Sequence, residues 1–115
     1  MSVVTPEGKV KMFVRKFMRT HFPGHFYYSP MGGAFGKAGM PDHLYLWNGI
    51  LVGIEIKADK GKLSSLQDET LKQMAAQGAL CAVVYGQDEA KMLRIKAAIL
   101  NEHAKRTANV ATSSV

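Results

Sequence analysis

A single cysteine, Cys81, stands among the 115 residues. An internal disulfide is therefore excluded, and the thiol count fits a reducing cytoplasm. Within "ALCAVVYG" it reads as a small buried hydrophobe. No window reaches the ~18 consecutive apolar residues of a membrane span, so no membrane partner is expected. The opening "MSVVTPEGKV" lacks a basic flank followed by a long apolar run, and no secretory signal is expected. Around "PDHLYLWNGILVGIEIK" neither His nor Cys stands at zinc-ligand spacing. Acidic residues are few: nine Asp and Glu face fifteen Lys and Arg, a formal charge of +6. That excess favours a polyanionic partner.

What remains is ordinarily globular, at 47% hydrophobic with 11 Gly and 4 Pro. The length suits one domain, assigned to residues 1–106, with a frayed tail over 107–115. Thr5-Pro6-Glu7 reads as a helix start, with Thr5 as N-cap and Pro6 at the first helical position. Val10, Phe13, Val14, Phe17 and Met18 recur at helical spacing until "HFPGH" ends the helix near His21. "HFYYS" is a short β-rich run. "PMGGAFGKAGMP", Pro30 to Pro41, holds four glycines in twelve residues and reads as a long loop of the functional or disordered kind. His43 to Trp47 and Ile50 to Lys57 are strands joined by Asn48-Gly49, a hairpin turn signal. Ser64 to Gln77 is a helix with Ser64 and Gln67 in capping-box spacing. Ala79 to Tyr85 is a near-continuous apolar strand, which suggests burial on both faces. Asp88 to about Lys105 is a basic amphipathic helix. The order α-β-β-β-α-β-α predicts a layered α/β domain.

The hairpin carries the chemistry. A two-residue turn at Asn48-Gly49 sets Trp47 opposite Ile50 and, further out, Asp42 opposite Glu55. Directly opposed side chains have Cβ atoms ~5 Å apart. Lys57, two residues beyond Glu55, projects from the same sheet face. Two carboxylates held together destabilise a sheet, the more so where the dielectric constant is low. Their face is otherwise Leu44, Leu46, Leu51 and Gly53, poor solvation for a carboxylate. A divalent cation held by both would relieve the strain, and hard oxygens suit Mg²⁺ or Mn²⁺. The bland alternative is an ion pair of Lys57 with one carboxylate while Asp42 caps the strand.

These residues resemble a known pattern. "MPDHLYLWNGILVGIEIK" carries Pro-Asp, a spacer and Glu-x-Lys, the signature of the PD-(D/E)XK nuclease superfamily. The flanking "KAGMPDHLYL" and "IEIKADKGKLSSLQ" resemble its VRR-NUC family, in particular the small standalone phage-type members. The resemblance is dense from about Lys37 to Gln67. It implies a restriction-endonuclease-like core, a mixed β-sheet flanked by helices, and phosphodiester cleavage with Mg²⁺ or Mn²⁺. It implies that Asp42, Glu55 and the Ile56 main-chain carbonyl hold the metal. Lys57 would then orient and deprotonate the attacking water or stabilise the phosphorane, and Gln67 would lie near that water. Glu7 corresponds more loosely to an acidic residue of the first helix. Standalone members are similar to structure-selective DNA endonucleases that act as homodimers on four-way (Holliday) junctions. The implied function is a metal-dependent, structure-selective DNA endonuclease. Two rivals are a non-catalytic basic nucleic-acid-binding module of the same fold and a sequence-specific restriction-type nuclease.

Secondary candidates follow. Glu7 lies within about 20° of Val14 on the helix wheel, which puts it on the inward stripe, although a first-turn Glu also answers the helix dipole. Lys37 in the glycine loop could reach a phosphate, and Lys60 and Lys62 could touch a nucleic-acid backbone. Arg15, Lys16 and Arg19 read as a solvated helix face. His43 points to the opposite sheet face from Asp42 and reads as packing. Tyr45 and Trp47 share that opposite face and suit either the core or a dimer surface.

Overall fold

The computed structural model describes residues 3–30 and 36–109. Residues 31–35 of the glycine loop and the last six residues of the expected tail lie outside that range. Helix α1 (Pro6–His21) starts where the local chemistry directs, with the Thr5 hydroxyl accepting the Gly8 N–H at 3.0 Å. Strand β1 (Phe26–Tyr28) follows, then the hairpin of β2 (His43–Trp47) and β3 (Ile50–Lys57). Asn48 and Gly49 both take positive φ, 49° and 79°, as a tight right-twisted hairpin requires. Helix α2 (Ser65–Ala76) opens on the complete capping box of Ser64 and Gln67. Strand β4 (Leu80–Tyr85) and helix α3 (Glu89–Asn109) complete the order. Asp88 caps α3 by accepting the Lys91 N–H at 3.0 Å.

The sheet has four strands in the order β1-β2-β3-β4, antiparallel except for the β3–β4 pair. It is mixed, as expected. One face carries Tyr45, Ile50, Val52, Ile54, Ile56 and Val84, all buried beneath α1 and α3. Val10, Val14, Phe17 and Met18 of α1 and Met92, Ile95 and Ile99 of α3 close that core. Each fully buried aliphatic of this kind contributes ~1.5–3 kcal/mol of transfer free energy. Tyr45 is therefore core, with Trp47 packed against it. The other face carries Leu44, Leu46, Leu51 and Gly53, and α2 covers only its β3–β4 half, with Met74 reaching Gly53.

Three expectations shift. β4 is only partly buried along most of its length, and Tyr85 is exposed. It is an edge strand, paired with β3 alone, and apolar composition does not reveal how many neighbours a strand has. Cys81 within it is accordingly half-buried. α3 also runs on to Asn109, since the Thr107 hydroxyl bonds back to the His103 and Ala104 carbonyls. No helix among the described residues is long and apolar enough to cross a membrane.

Candidate active site

The register decides the site. His43 pairs with Ile54 and Leu44 with Gly53, so Asp42, one residue before β2, faces Glu55 across the hairpin. The backbone confirms the approach: the Ile56 N–H donates to Asp42 Oδ2 at 2.9 Å and, less directly, to Glu55 Oε1 at 3.3 Å. Glu55 is 1% exposed. Its Oε2 is buried and has no hydrogen-bond partner among the described residues. An orphaned buried polar atom costs ~1–3 kcal/mol, and more when the group is charged.

The two acids respond in opposite ways. Burial pushes the Glu55 pKa up to about 8, and the Asp42 carboxyl pushes it further than the Lys57 charge pulls it back. Burial also works to raise Asp42, but the Glu55 carboxyl, the Ile56 N–H and the Lys11 charge outweigh it and hold Asp42 low. The pair thus keeps one proton, resident on Glu55, at neutral pH.

Pro41 leaves a further ligand atom free, the Ile56 carbonyl. Residues of β3 with even numbers turn their backbone groups toward β2, while Lys57 turns its carbonyl to the Gly86 N–H beyond β4. Continued by two residues, the register sets Ile56 opposite Pro41, which has no N–H to donate. The Ile56 N–H goes to Asp42 instead, and its carbonyl has no ladder donor on that side. Two carboxylates and this carbonyl form a small, hard oxygen set. No cluster of three or more His, Cys, Asp or Glu side chains suited to a metal occurs among the described residues. Two carboxylates with few protein ligands suit an ion that keeps several waters, which is the habit of Mg²⁺. Glu55 Oε2, whose only partner among the described residues is the proton shared with Asp42, is a donor that such an ion would fit once that proton leaves.

Lys57 lies on the same face, and its alkyl stem runs beside Gly61, where a Cβ would come within 3.0 Å of the Lys57 Cβ. A side chain at position 61 would displace it. Gly39, with φ at 83°, is pressed against Leu66 and Thr70 of α2, so any Cβ there would collide. Only glycine lets the loop enter β2 on this path. Ser29 fixes the same entry from the other side by donating to the Asp42 carbonyl at 2.9 Å.

The chain as a whole is similar to a solved structure of a VRR_NUC domain, with a TM-score of 0.62 over 79% of this chain and 94% of that one. The chain has the VRR_NUC fold. Sequence identity with that domain is 19%. No protein-family model and no curated protein matches the sequence. The mixed sheet with its three helices fits the restriction-endonuclease-like core of the VRR_NUC fold.

Within this VRR_NUC frame the expected site residues do not all converge. Asp42, Glu55, Ile56 and Lys57 do. Glu7 does not point inward: its carboxylate is 45% exposed and pairs with Lys11 at 3.5 Å. It sits in the first turn of α1, half-exposed and turned to Lys11. Lys11 in turn stands 3.8 Å from Asp42 Oδ1 and links Glu7 to the site at one remove. Sequence reasoning missed Lys11, whose only signal was its spacing of four residues from Glu7. Gln67 spends its side-chain oxygen on the Ser64 N–H at 3.0 Å. No hydrogen bond joins it to Asp42, Glu55 or Lys57. Lys37 lines a cavity of about 580 Å³ with Met40, Leu44 and Arg106, away from Asp42. Lys60 and Lys62 are exposed. His43 is buried and bonded to the Tyr45 hydroxyl at 2.9 Å, a packing role as expected. Burial holds its pKa down at about 4, so it is neutral at pH 7.

Proposed function

We propose that this protein is a divalent-metal-dependent endodeoxyribonuclease that acts on branched DNA, four-way junctions included. The observation that carries the reading is the facing pair Asp42 and Glu55, with Glu55 Oε2 buried and, apart from the proton shared with Asp42, without a hydrogen-bond partner among the described residues. An ion held there by Asp42, Glu55 and the Ile56 carbonyl, Mg²⁺ or Mn²⁺, would supply an activated water and charge compensation for the phosphorane.

The chain's own residues do the remaining work. Glu55, once deprotonated, and Asp42, already ionised, would together hold the ion. The Ile56 N–H fixes the Asp42 carboxylate so that its free oxygen keeps one direction. The Lys57 ammonium, on the same face, meets the developing negative charge on the transferred phosphoryl group. Lys37, Lys60, Lys62, Gln67 and Glu7 are candidates for holding the nucleic acid or its water around that centre.

A second copy of the chain has a natural seat. On the half of the sheet that α2 leaves open, Phe26 is 65% exposed and Tyr28 56%, beside the exposed Leu46 and Leu51. An apolar surface of that kind marks an interaction site, and a homodimer would place two sites on one branched substrate. The test is incubation of labelled linear, flap and four-way DNA with EDTA, Mg²⁺ or Mn²⁺. Cleavage of the branched forms that needs metal, and that disappears in Asp42→Asn, is expected. Binding without turnover under every ion would favour the non-catalytic module. Discrete fragments from linear duplex would favour the restriction-type reading.

A further inference from the structure

Helix α1 and the edge of β1 enclose a surface groove of about 700 Å³, and five cations line it: Lys9, Lys11, Arg15, Lys16 and Arg19. Its other walls include Tyr27, Ser29 and His43. Arg15 is held by the fold. Its guanidinium lies 3.6 Å from the Tyr27 ring and reaches His25 Nε2 at 2.9 Å. His25 Nδ1 donates to the Phe22 carbonyl at 2.7 Å, so Nε2 is the acceptor. Lys11 is held as well, between Glu7 and Asp42. Lys9, Lys16 and Arg19 are exposed and make no ion pair among the described residues. The nearby acids are Glu7 and Asp42, both facing Lys11, Asp59, which shares a cavity with Lys9, and Glu89, which shares a smaller one with Lys16.

A row of unpaired cations on one helix face is electrostatically unfavourable unless an anion answers it. From Lys9 to Arg19 the helix rises about 15 Å, the length of about four phosphates along one strand of a duplex at ~3.4 Å each. The groove also opens onto the candidate site. Lys11 lines the groove and touches Asp42, and Ser29 lines it and holds the Asp42 carbonyl. We propose that the α1 groove binds the phosphate backbone of the nucleic acid and leads it to Asp42 and Glu55, with Lys9, Lys16 and Arg19 as the contacts. Sequence patterning made Lys16 and Arg19 a plain solvated face; the wall formed by β1 turns them into a channel. The inference rests on the nuclease reading for the direction of travel, and its test does not depend on cleavage.

Binding of labelled four-way DNA is measured in EDTA over a series of salt concentrations. The wild-type chain is compared with Lys9→Gln/Lys16→Gln/Arg19→Gln and with a control of equal charge loss, Lys72→Gln/Arg94→Gln/Lys105→Gln. All six positions are exposed, and thermal unfolding verifies that both variants fold. The groove variant should bind about tenfold or more weakly, with a salt slope shallower by about 2–3, whereas the control should stay within about threefold of wild type. Equal losses in both variants would mean net charge alone matters, and the proposal fails. Unchanged binding in the groove variant means the groove serves another anion, such as an acidic protein segment, and the proposal fails again. Wild-type cleavage with Mg²⁺ is scored separately. Groove-dependent binding without cleavage would sink the nuclease reading and leave the groove standing.

Discussion

The two faces of the β2–β3 hairpin are built from the same thirteen-residue ribbon and come to opposite ends. Tyr45, Ile50, Val52, Ile54 and Ile56 are sealed beneath two helices. Their neighbours one position away, Leu44, Leu46 and Leu51, are covered on one side only, and at the far end of that face stand Asp42 and Glu55. Strand alternation assigns each residue to a face, but the helices decide what the face is for. Two helices make a core. A single helix over half the surface leaves a place where charge can be held next to apolar ground and a substrate can still reach it.

The contrast is broken most severely at the carboxylates. Asp42→Asn and Glu55→Gln are predicted to lower metal-dependent cleavage by about a thousandfold or more while leaving DNA affinity in EDTA nearly unchanged, read on a labelled four-way substrate. Lys57→Ala should fall in the same class. On the sealed face, Ile54→Ala should cost about 2–5 kcal/mol in denaturant unfolding, whereas Leu46→Ala on the open face should cost under about 1 kcal/mol. Similar losses at both positions would erase the distinction between the faces.

A third prediction concerns the metal-free pair. A carboxyl whose pKa is raised on folding, as Glu55 is to about 8, lends stability that is present below its ordinary value near 4.5 and is lost as pH rises through about 8. Asp42, held low, works in the other window, losing its contribution as pH falls below its ordinary range. In EDTA at pH 8 to 9, Glu55→Gln should therefore be more stable than wild type by about 1–3 kcal/mol, with the gap closing toward pH 4.5. A gap that stays constant with pH would contradict the assignment of the proton. The smallest expected effect is on the open apolar surface. Phe26→Ser should leave thermal stability within about 0.5 kcal/mol of wild type and shift the size in solution toward the monomer, checked by light scattering.

Much of the site was readable before any coordinates because its determinants are local. Asn48-Gly49 sets the turn, the turn sets the register, and the register brings Asp42 to Glu55. Thr5 with Pro6 and Ser64 with Gln67 announce two helix starts for the same reason. What escaped depends on distant neighbours. Lys11 gains its meaning only when α1 packs its first turns beside Asp42. Glu7 fits an inward stripe on a helical wheel, but its carboxylate is half-exposed and pairs with Lys11, one turn on, instead. Gln67 could serve the cap or the site, and the local bond to Ser64 won. The exposed side of β4 and the open half of the sheet are properties of edges, which composition does not record.

The central claim is that Asp42 and Glu55 together form a divalent-cation site. Its most direct test is Mn²⁺ binding at pH 7.5, followed by electron paramagnetic resonance on wild type, Asp42→Asn and Glu55→Gln, with proton release recorded in the same titration. Saturable binding by the wild type with release of up to one proton, weakened at least tenfold in either variant, is the predicted result. Wild-type binding no stronger than that of the variants, or binding without proton release, would contradict it.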